Sequence, residues 1–129
     1  FEKLMAVNVT ANARLIQSME PLLLASNSGR AVFVTSGVAD SAKPFWGGYA
    51  TSKAALNTLV RCWAHEQQET NLKINLLSPG PIRTSMRAKA MPGEDPSHLT
   101  TPEELAPLFI KMLSPEWTQT GQIIDFRQI

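Results

Sequence analysis

The only tyrosine in the chain, Tyr49, stands four residues before Lys53 in the run Tyr-Ala-Thr-Ser-Lys. In a helix this spacing puts both side chains on one face, so that a phenol lies beside an ammonium group. A free tyrosine has a pKa of about 10, and a nearby cation favours the phenolate and lowers that pKa. Such a phenol can donate a proton to a carbonyl oxygen or accept one from an alcohol. The same pair could instead be ordinary packing on a helix surface, so its meaning depends on the surrounding residues.

Hydrophobic periodicity predicts helices and strands that alternate along the whole chain. Apolar residues recur at three- and four-residue steps in the helical segments, whereas short β-branched runs are typical of buried strands. The predicted elements are a helix over 1–25, a strand over 31–35, a helix over about 48–69, a strand over 73–77, a helix from Pro102 to about Leu113 and a strand over 122–126. Residues 36–47 and 83–100 are predicted loops, the second one mobile with about one helical turn. This order indicates an α/β fold with right-handed crossovers, a parallel sheet and helices on both faces.

Three further features stand at fixed distances from the tyrosine–lysine pair. Ser36 lies 13 residues before Tyr49, at the end of the first predicted strand. Asn8 lies 28 residues before Ser36, inside the first predicted helix and in a Val-Asn-x-x-Ala context. The second predicted strand is followed by a Pro79-Gly80-x-x-x-Thr84 run. Together these features resemble the signature of the short-chain dehydrogenase/reductase family, and the resemblance covers essentially all 129 residues.

The resemblance implies a role for each residue of this constellation. Tyr49 is expected to be the general acid/base, and Ser36 is expected to hydrogen-bond the substrate oxygen. Lys53 is expected to lower the tyrosine pKa and to bind the nicotinamide ribose. Asn8 is expected to hold a water molecule that links Lys53 to solvent and completes a proton relay. The implied activity is hydride transfer between a nicotinamide cofactor, NAD or NADP, and a small carbonyl or alcohol substrate.

The resemblance also places cofactor contacts in the turn after the second predicted strand. Pro79 and Gly80 would form this turn. The backbone of Ile82 and the hydroxyl of Thr84 match family positions that anchor the nicotinamide carboxamide or the nearby phosphates. Tyr49 belongs to the expected cofactor-binding residues as well. On the residues alone, Thr84 could equally be a local helix cap.

Part of the family's nucleotide site is absent from the sequence. The family begins with a glycine-rich strand-to-helix turn that contacts the pyrophosphate, and no such turn occurs here. The Asn-Asn-Ala-Gly segment and the residue that selects NAD or NADP are absent too. The last strand reads Asp125-Phe126-Arg127-Gln128 where the family often has Asp-Gly-Gly. We therefore expect residues 1–129 to be the C-terminal portion of a single NAD(P)-binding, doubly wound, Rossmann-like domain without its N-terminal nucleotide-binding half.

Such a half domain would have an uncovered surface. The strand at 31–35 would expose one edge, and an exposed hydrophobic edge invites pairing with another chain. This predicts oligomers or poor solubility. In the family the helices that correspond to 1–25 and 48–69 commonly form a four-helix dimer contact, so a homodimer or homotetramer is expected.

Five remaining residues have a less certain meaning. Trp46 and Met86 flank the proposed site and could line an apolar substrate pocket or belong to the core. Cys62 is predicted to be a small buried hydrophobe. His65 and His98 have no metal-ligating partner at a telling spacing, so a metal site is not expected.

Composition gives no indication of a nucleic-acid-binding protein or a membrane protein. The chain has 12 basic and 11 acidic side chains, scattered along its length, which gives no reason to expect nucleic acid or an acidic membrane as partner. No apolar run reaches the roughly 18 residues that a membrane helix needs. A single cysteine favours a reduced, cytoplasmic setting.

Two other functions remain open at this stage. The scaffold could catalyse a non-redox reaction, such as epimerisation or dehydration. A half domain could also be catalytically silent and act only in oligomerisation or interaction. Binding of NAD(P)H to the chain would argue against the silent module.

Overall fold

Three parallel strands form the sheet that positions the candidate site. The computed structural model describes residues 1–129, and its strands are β1 (Arg30–Val34), β2 (Lys73–Ser78) and β3 (Ile123–Asp125). β2 lies between the other two and pairs with both in parallel. Val34 stands opposite Leu77, and Leu77 stands opposite Ile124. The carboxyl ends of all three strands therefore lie together, along what we call the carboxyl edge of the sheet. The predicted α/β fold with a parallel sheet is confirmed.

Helices and short turns connect these strands. They are α1 (Glu2–Met5), a π-helical segment (Ala6–Thr10), α2 (Ala11–Ala25), α3 (Val38–Ser41), α4 (Gly47–Glu66), α5 (Ser85–Ala90), a 3-10 turn (Pro96–His98), α6 (Pro102–Met112) and a 3-10 turn (Phe126–Gln128). The helix predicted over 1–25 is thus one run with a π-helical segment inside it. None of the helices combines the length and apolar character that crossing a bilayer requires.

Helices cover both faces of the sheet, as predicted. On the face toward α4, the following side chains are at most 4% exposed: Leu56, Val60, Trp63, Ala64, Ile74 and Leu76. Residues of α2 pack against the same cluster. On the opposite face Leu77 packs against Leu105, Leu108 and Met112 of α6. Burial of each large aliphatic side chain stabilises the fold by roughly 1.5–3 kcal/mol, so these two clusters fix the helices to the sheet.

The predicted start of the last helix is confirmed in detail. The Thr101 hydroxyl accepts a hydrogen bond from the backbone N–H of Glu104 at 3.2 Å. The Glu104 carboxylate in turn accepts from the backbone N–H of Thr101 at 3.3 Å. This reciprocal capping box, with Pro102 in the first turn, satisfies N–H groups that a helix start leaves without partners.

Two predictions about local structure are wrong. The loop predicted over 36–47 contains the short helix α3, in which Val38 is buried at 9% exposure. Four residues are too few for a periodic pattern, so the sequence gives no signal for this helix. Cys62 is exposed, not buried. Successive residues of a helix point about 100° apart, and it is the next residue, Trp63, that faces the core.

The segment predicted as a loop over 83–100 has more structure than one helical turn. It contains α5 and the Pro96–His98 turn. Arg87 in α5 forms a two-pronged ion pair with Glu94, with N···O distances of 2.8 and 2.9 Å. Paired N–H···O bonds of this kind fix orientation as well as distance. The ion pair therefore joins α5 to the chain that follows it.

Arg30, the first residue of β1, joins three parts of the chain at the amino end of the sheet. Its guanidinium donates hydrogen bonds of 2.8–3.2 Å to the backbone carbonyls of Gly29, Asn71, Ser114 and Pro115. These carbonyls belong to the segments that precede β1, precede β2 and follow α6. The side chain thus acts as a cross-link between the elements that must align the strands.

Arg30→Met is therefore expected to lower the free energy of unfolding by about 2 kcal/mol, because hydrogen bonds to a charged group each contribute roughly 1.5–3 kcal/mol and the carbonyls partly regain water. Urea denaturation followed by circular dichroism measures this loss. Arg61→Met is the matched control, since Arg61 is exposed and forms no hydrogen bond or ion pair. Equal stability of the two variants would contradict the cross-link.

The outer edge of β1 has no partner strand. β1 pairs with β2 alone, and Val34 at its end is 44% exposed. A largely apolar groove of about 570 Å³ runs along this strand and α2, and its lining includes Leu15, Met19 and Phe33. An unpaired apolar edge is a template for another strand.

The 129-residue chain, produced alone, is expected to form oligomers or aggregates through this edge. Light scattering over a concentration series measures the molar mass. Val34→Lys, which puts a charge on the exposed edge position, is expected to shift the distribution toward monomer. A monodisperse monomer of the unaltered chain at high concentration would contradict the expectation.

Candidate active site

The candidate site lies at the carboxyl edge of the parallel sheet. β1 is followed by Thr35 and Ser36, and β2 is followed by Pro79 and Gly80. In open α/β sheets, ligands bind in the crevice outside the carboxyl ends of the strands. The fold therefore brings the predicted serine and the predicted Pro-Gly turn to the edge where a ligand is expected.

The first turns of α4 bring the tyrosine and the lysine to the same edge. Ser36 faces the Tyr49 phenol closely enough for its side chain to lower the pKa of the phenol. The Lys53 Nζ lies 5.7 Å from the centroid of the Tyr49 ring and donates a hydrogen bond to the Val34 carbonyl at 3.0 Å. Helix register places phenol and ammonium on one face, as the spacing predicts. The three predicted residues thus form a contiguous group around one phenol.

The electrostatic environment of this group differs from the sequence expectation. Burial raises the pKa of Tyr49 above its ordinary value, and the hydrogen bond with Ser36 lowers it by less. Burial lowers the pKa of Lys53. The expectation that Lys53 brings the tyrosine pKa below its ordinary value is therefore wrong for this structure. The physical reason is that partial burial disfavours charge on both groups, while the ammonium points to a backbone carbonyl rather than to the phenol oxygen.

Asn8 reaches the site through a residue that the sequence analysis missed. Its side-chain Nδ2 donates to the Ser52 hydroxyl at 2.9 Å, and that hydroxyl donates to the Tyr49 carbonyl at 2.8 Å. Ser52 is fully buried. Asn8 lies in the π-helical segment, a distortion that is frequent at functional sites. The Asn8 backbone carbonyl accepts from the Asn12 side chain at 2.9 Å, so the distorted turn is held by its own neighbours.

Ser52 carried a signal that could have identified it. A serine inside a helix can hydrogen-bond the carbonyl three or four residues earlier, and three residues before Ser52 is Tyr49. The motif Tyr-x-x-x-Lys treats position 52 as a spacer. In the structure this spacer links the helix of Asn8 to the helix turn of the tyrosine.

The turn after β2 has the conformation that its glycine predicts. Gly80 has φ +75°, a left-handed conformation that a residue with a Cβ rarely adopts. Ile82 forms an isolated parallel bridge with Thr100. The Thr84 hydroxyl accepts a hydrogen bond from the Arg87 N–H at 3.2 Å and caps α5. The capping alternative for Thr84 is thus present in the structure, while its cofactor contact stays a prediction.

Trp46 and Met86 have different positions. The Trp46 ring packs edge-to-face on the Tyr49 ring, with centroids 5.8 Å apart and an angle of 73°. Met86 is 71% exposed on α5, so the alternative that it belongs to the core is wrong. Trp46 therefore lies directly beside Tyr49. Contact of either residue with a substrate stays a prediction.

No group of three or more His, Cys, Asp and Glu side chains is arranged to hold a metal ion. The polar chemistry of this edge therefore comes from hydroxyl, phenol and ammonium groups, with one guanidinium nearby. That guanidinium belongs to Arg127, which follows β3. It replaces a glycine that the family often has, and this departure was the signal that could have drawn attention to it.

Comparison with known proteins gives consistent matches. The family model of short chain dehydrogenases matches residues 1–95. The chain is 39% identical to the uncharacterized oxidoreductase YciK of Escherichia coli K12 over 126 residues, which is 97% of this chain and 50% of that protein.

Solved structures match at the level of the fold as well. A short chain dehydrogenase from Salmonella enterica serovar Typhi superposes with a TM-score of 0.89 at 42% identity, over 94% of this chain and 50% of that one. A short chain dehydrogenase from E. coli CFT073, solved in complex with NADPH, has a TM-score of 0.88 at 40% identity, again over 94% and 50%. The chain spans about half the length of these relatives.

Because Tyr49 is the only tyrosine, phenolate absorbance in the near ultraviolet reports its ionisation directly. The titration midpoint is expected above pH 10.0, the ordinary value, since burial raises the pKa. The stability that this raised pKa contributes is present below about pH 10 and is lost as the pH rises through the folded-state pKa. Ser36→Ala is expected to move the midpoint higher still, because it removes the hydrogen bond that lowers the pKa.

Ser41→Ala serves as the control for this titration. Ser41 is exposed in α3 and its side chain forms no hydrogen bond, so the midpoint is expected to be that of the unaltered chain. A midpoint that falls in Ser36→Ala would show that the serine does not stabilise the phenolate.

Proposed function

The chain belongs to the short-chain dehydrogenase family, and on that premise we propose that it carries the proton-transfer site of an NAD(P)-dependent oxidoreductase acting on a carbonyl or alcohol substrate. The observation that carries this proposal is the grouping of Ser36, Tyr49 and Lys53 at the carboxyl end of the sheet, where the Lys53 Nζ lies 5.7 Å from the Tyr49 ring centroid and Ser36 acts to lower the pKa of the phenol. Relatives of similar structure were solved with NADPH or NADP, which supports the cofactor class.

The residues of the edge suit the nicotinamide end of such a cofactor. An ammonium group has three donors, and the Lys53 Nζ uses one of them on the Val34 carbonyl at 3.0 Å. The remaining donors are available to ribose hydroxyls. The Pro79-Gly80 turn lies at the same end of the sheet, with the Arg127 side chain packed over Gly80. Bound NAD(P)H would supply the hydride.

Proton transfer is the task of the chain's own residues. The Tyr49 phenol, which is protonated at neutral pH as an ordinary tyrosine is, donates its proton to the substrate oxygen as the carbonyl is reduced. The Ser36 hydroxyl holds that oxygen near the phenol. In the reverse direction the phenolate accepts the alcohol proton, and the Ser36 hydrogen bond stabilises it. Lys53 and Asn8, the latter through Ser52, hold the helix turn in place and complete the proposed relay.

We further propose that the chain is the C-terminal portion of its domain and that the whole protein assembles as a homodimer or homotetramer. The glycine-rich turn for the pyrophosphate is not among these residues. The apolar residues Val7, Leu15 and Leu22 on the N-terminal helix are 56–66% exposed. An apolar helix face of this kind is typical of a surface that another subunit covers.

Tyr49→Phe in the intact protein is expected to lower kcat/KM for carbonyl reduction by about 10²–10⁴-fold, the usual contribution of a positioned general acid. NADPH oxidation with a panel of small aldehydes and ketones measures the rate, and fluorescence titration measures NADPH affinity separately, so that a loss of binding is distinguished from a loss of proton transfer. Thr51→Ala, on the exposed side of the same helix turn, is the control and is expected to retain activity.

The outcome separates the candidate functions. Activity that survives Tyr49→Phe would remove the proposed mechanism. NADPH binding without any net oxidation, together with isomerisation or loss of water from a substrate, would favour a non-redox enzyme. Absence of nucleotide binding in the intact protein would favour the interaction module.

A further inference from the structure

Arg127 lies at the same edge as the candidate site but has no part in the proposed proton transfer. It stands in the 3-10 turn after β3, which Asp125 caps by accepting a hydrogen bond from the Arg127 N–H at 3.0 Å. The side chain runs across the turn after β2. A Cβ added to Gly80 would lie 2.9 Å from the Arg127 Cδ and 3.1 Å from its Nε. The arginine stem therefore covers Gly80 directly, in space that only a glycine leaves free.

The far end of this side chain reaches the turn after β1. A Cβ added to Gly37 would lie 3.8 Å from the Arg127 Nη2, which is ordinary contact distance. Gly37 directly follows Ser36, whose side chain acts on the pKa of the Tyr49 phenol. One arginine thus extends from the end of β3, over the end of β2, to the residue next to the proposed substrate-binding serine.

The guanidinium is only partly paired. Its one ion-pair partner is Asp125, at 3.4 Å from Nε, and the two Nη groups donate no hydrogen bond. The side chain is 57% exposed, so the Nη groups are open to a ligand. A guanidinium presents its donors as a planar fork that matches a carboxylate. The other cation of the edge, Lys53, already donates to a backbone carbonyl.

We propose that Arg127 is a specificity-determining residue that binds a carboxylate carried by the carbonyl substrate. This inference rests on the proposed function, because it takes the substrate oxygen to lie between Ser36 and Tyr49. Adjacent Cα atoms are about 3.8 Å apart, so a guanidinium beside Gly37 is within reach of an anionic group a few bonds from that oxygen. The chain then selects keto or aldehyde acids over neutral carbonyl compounds of the same shape.

The test compares two aldehydes that differ in one carboxylate, para-carboxybenzaldehyde and benzaldehyde, with the intact protein and NADPH. Arg127→Met keeps an unbranched stem over Gly80 and removes the charge. It is expected to lower kcat/KM for para-carboxybenzaldehyde about tenfold, the size of a lost charge-assisted hydrogen bond, and to leave benzaldehyde unchanged. Arg127→Lys is expected to fall between the two proteins, and Arg61→Met, which removes an exposed and unpaired charge from α4, is expected to have no effect.

Two kinetic outcomes would overturn the proposal. An equal loss with both aldehydes would mean that Arg127 stabilises the turns at this end of the sheet and does not bind the carboxylate. A loss confined to NADPH affinity would assign the guanidinium to a cofactor phosphate instead.

A binding measurement decides the case in which the wild-type protein reduces neither aldehyde, which would count against the proposed function alone. Benzoate and benzamide are titrated into the wild-type, Arg127→Met and Arg61→Met proteins and followed by NMR. Weaker benzoate binding in Arg127→Met alone, with benzamide unaffected, supports the carboxylate site. Benzoate binding that is absent or equal in the wild-type and Arg127→Met proteins overturns it.

Discussion

A buried hydrogen bond joins the end of β1 to the helix that carries the tyrosine. The Thr35 hydroxyl donates to the Asn57 side-chain oxygen at 2.5 Å, and the two residues are 3% and 8% exposed. Thr35 directly precedes Ser36, while Asn57 lies about two helical turns after Tyr49. Because an unpaired polar group in the interior is costly, strand end and helix cannot shift apart without loss of stability. The position of Ser36 relative to Tyr49 therefore depends on this hydrogen bond.

The same packing that aligns the site also sets its charge state. Moving α4 against the sheet takes both Tyr49 and Lys53 partly out of water, so burial raises one pKa and lowers the other. Burial thus disfavours the charged form of both side chains. Ser36 acts in the opposite sense by stabilising the phenolate. The pKa of Tyr49 is therefore set by two opposing effects, burial, which raises it, and Ser36, which lowers it.

The sequence predicts the framework well because periodicity and fixed spacing are local properties. Alternating helices and strands imply the parallel sheet, whereas Ser36 and Asn8 are identified through the family resemblance that their offsets from the tyrosine carry. What it misses depends on contacts between distant segments. The helix at Val38–Ser41 contacts α4 and buries Val38, and Cys62 points to solvent because its neighbour Trp63 takes the core position.

The position of Arg127 also depends on contacts between distant segments, which sequence patterns do not predict. Tyr49 and Lys53 lie on one face of α4, and Ser36 follows Thr35, which is hydrogen-bonded to the same helix. The relative positions of these three residues therefore depend on the packing of α4 against β1. The end of β3 contributes no hydrogen bond to that group. The Arg127 side chain occupies the space above Gly80. This space is free because the φ of +75° at that position favours glycine, which has no Cβ. The left-handed turn at Gly80 thus leaves room for the Arg127 side chain at this end of the sheet. At this end of the sheet the residues proposed for proton transfer are thus held by β1 and α4, while Arg127 is positioned by the turn after β3.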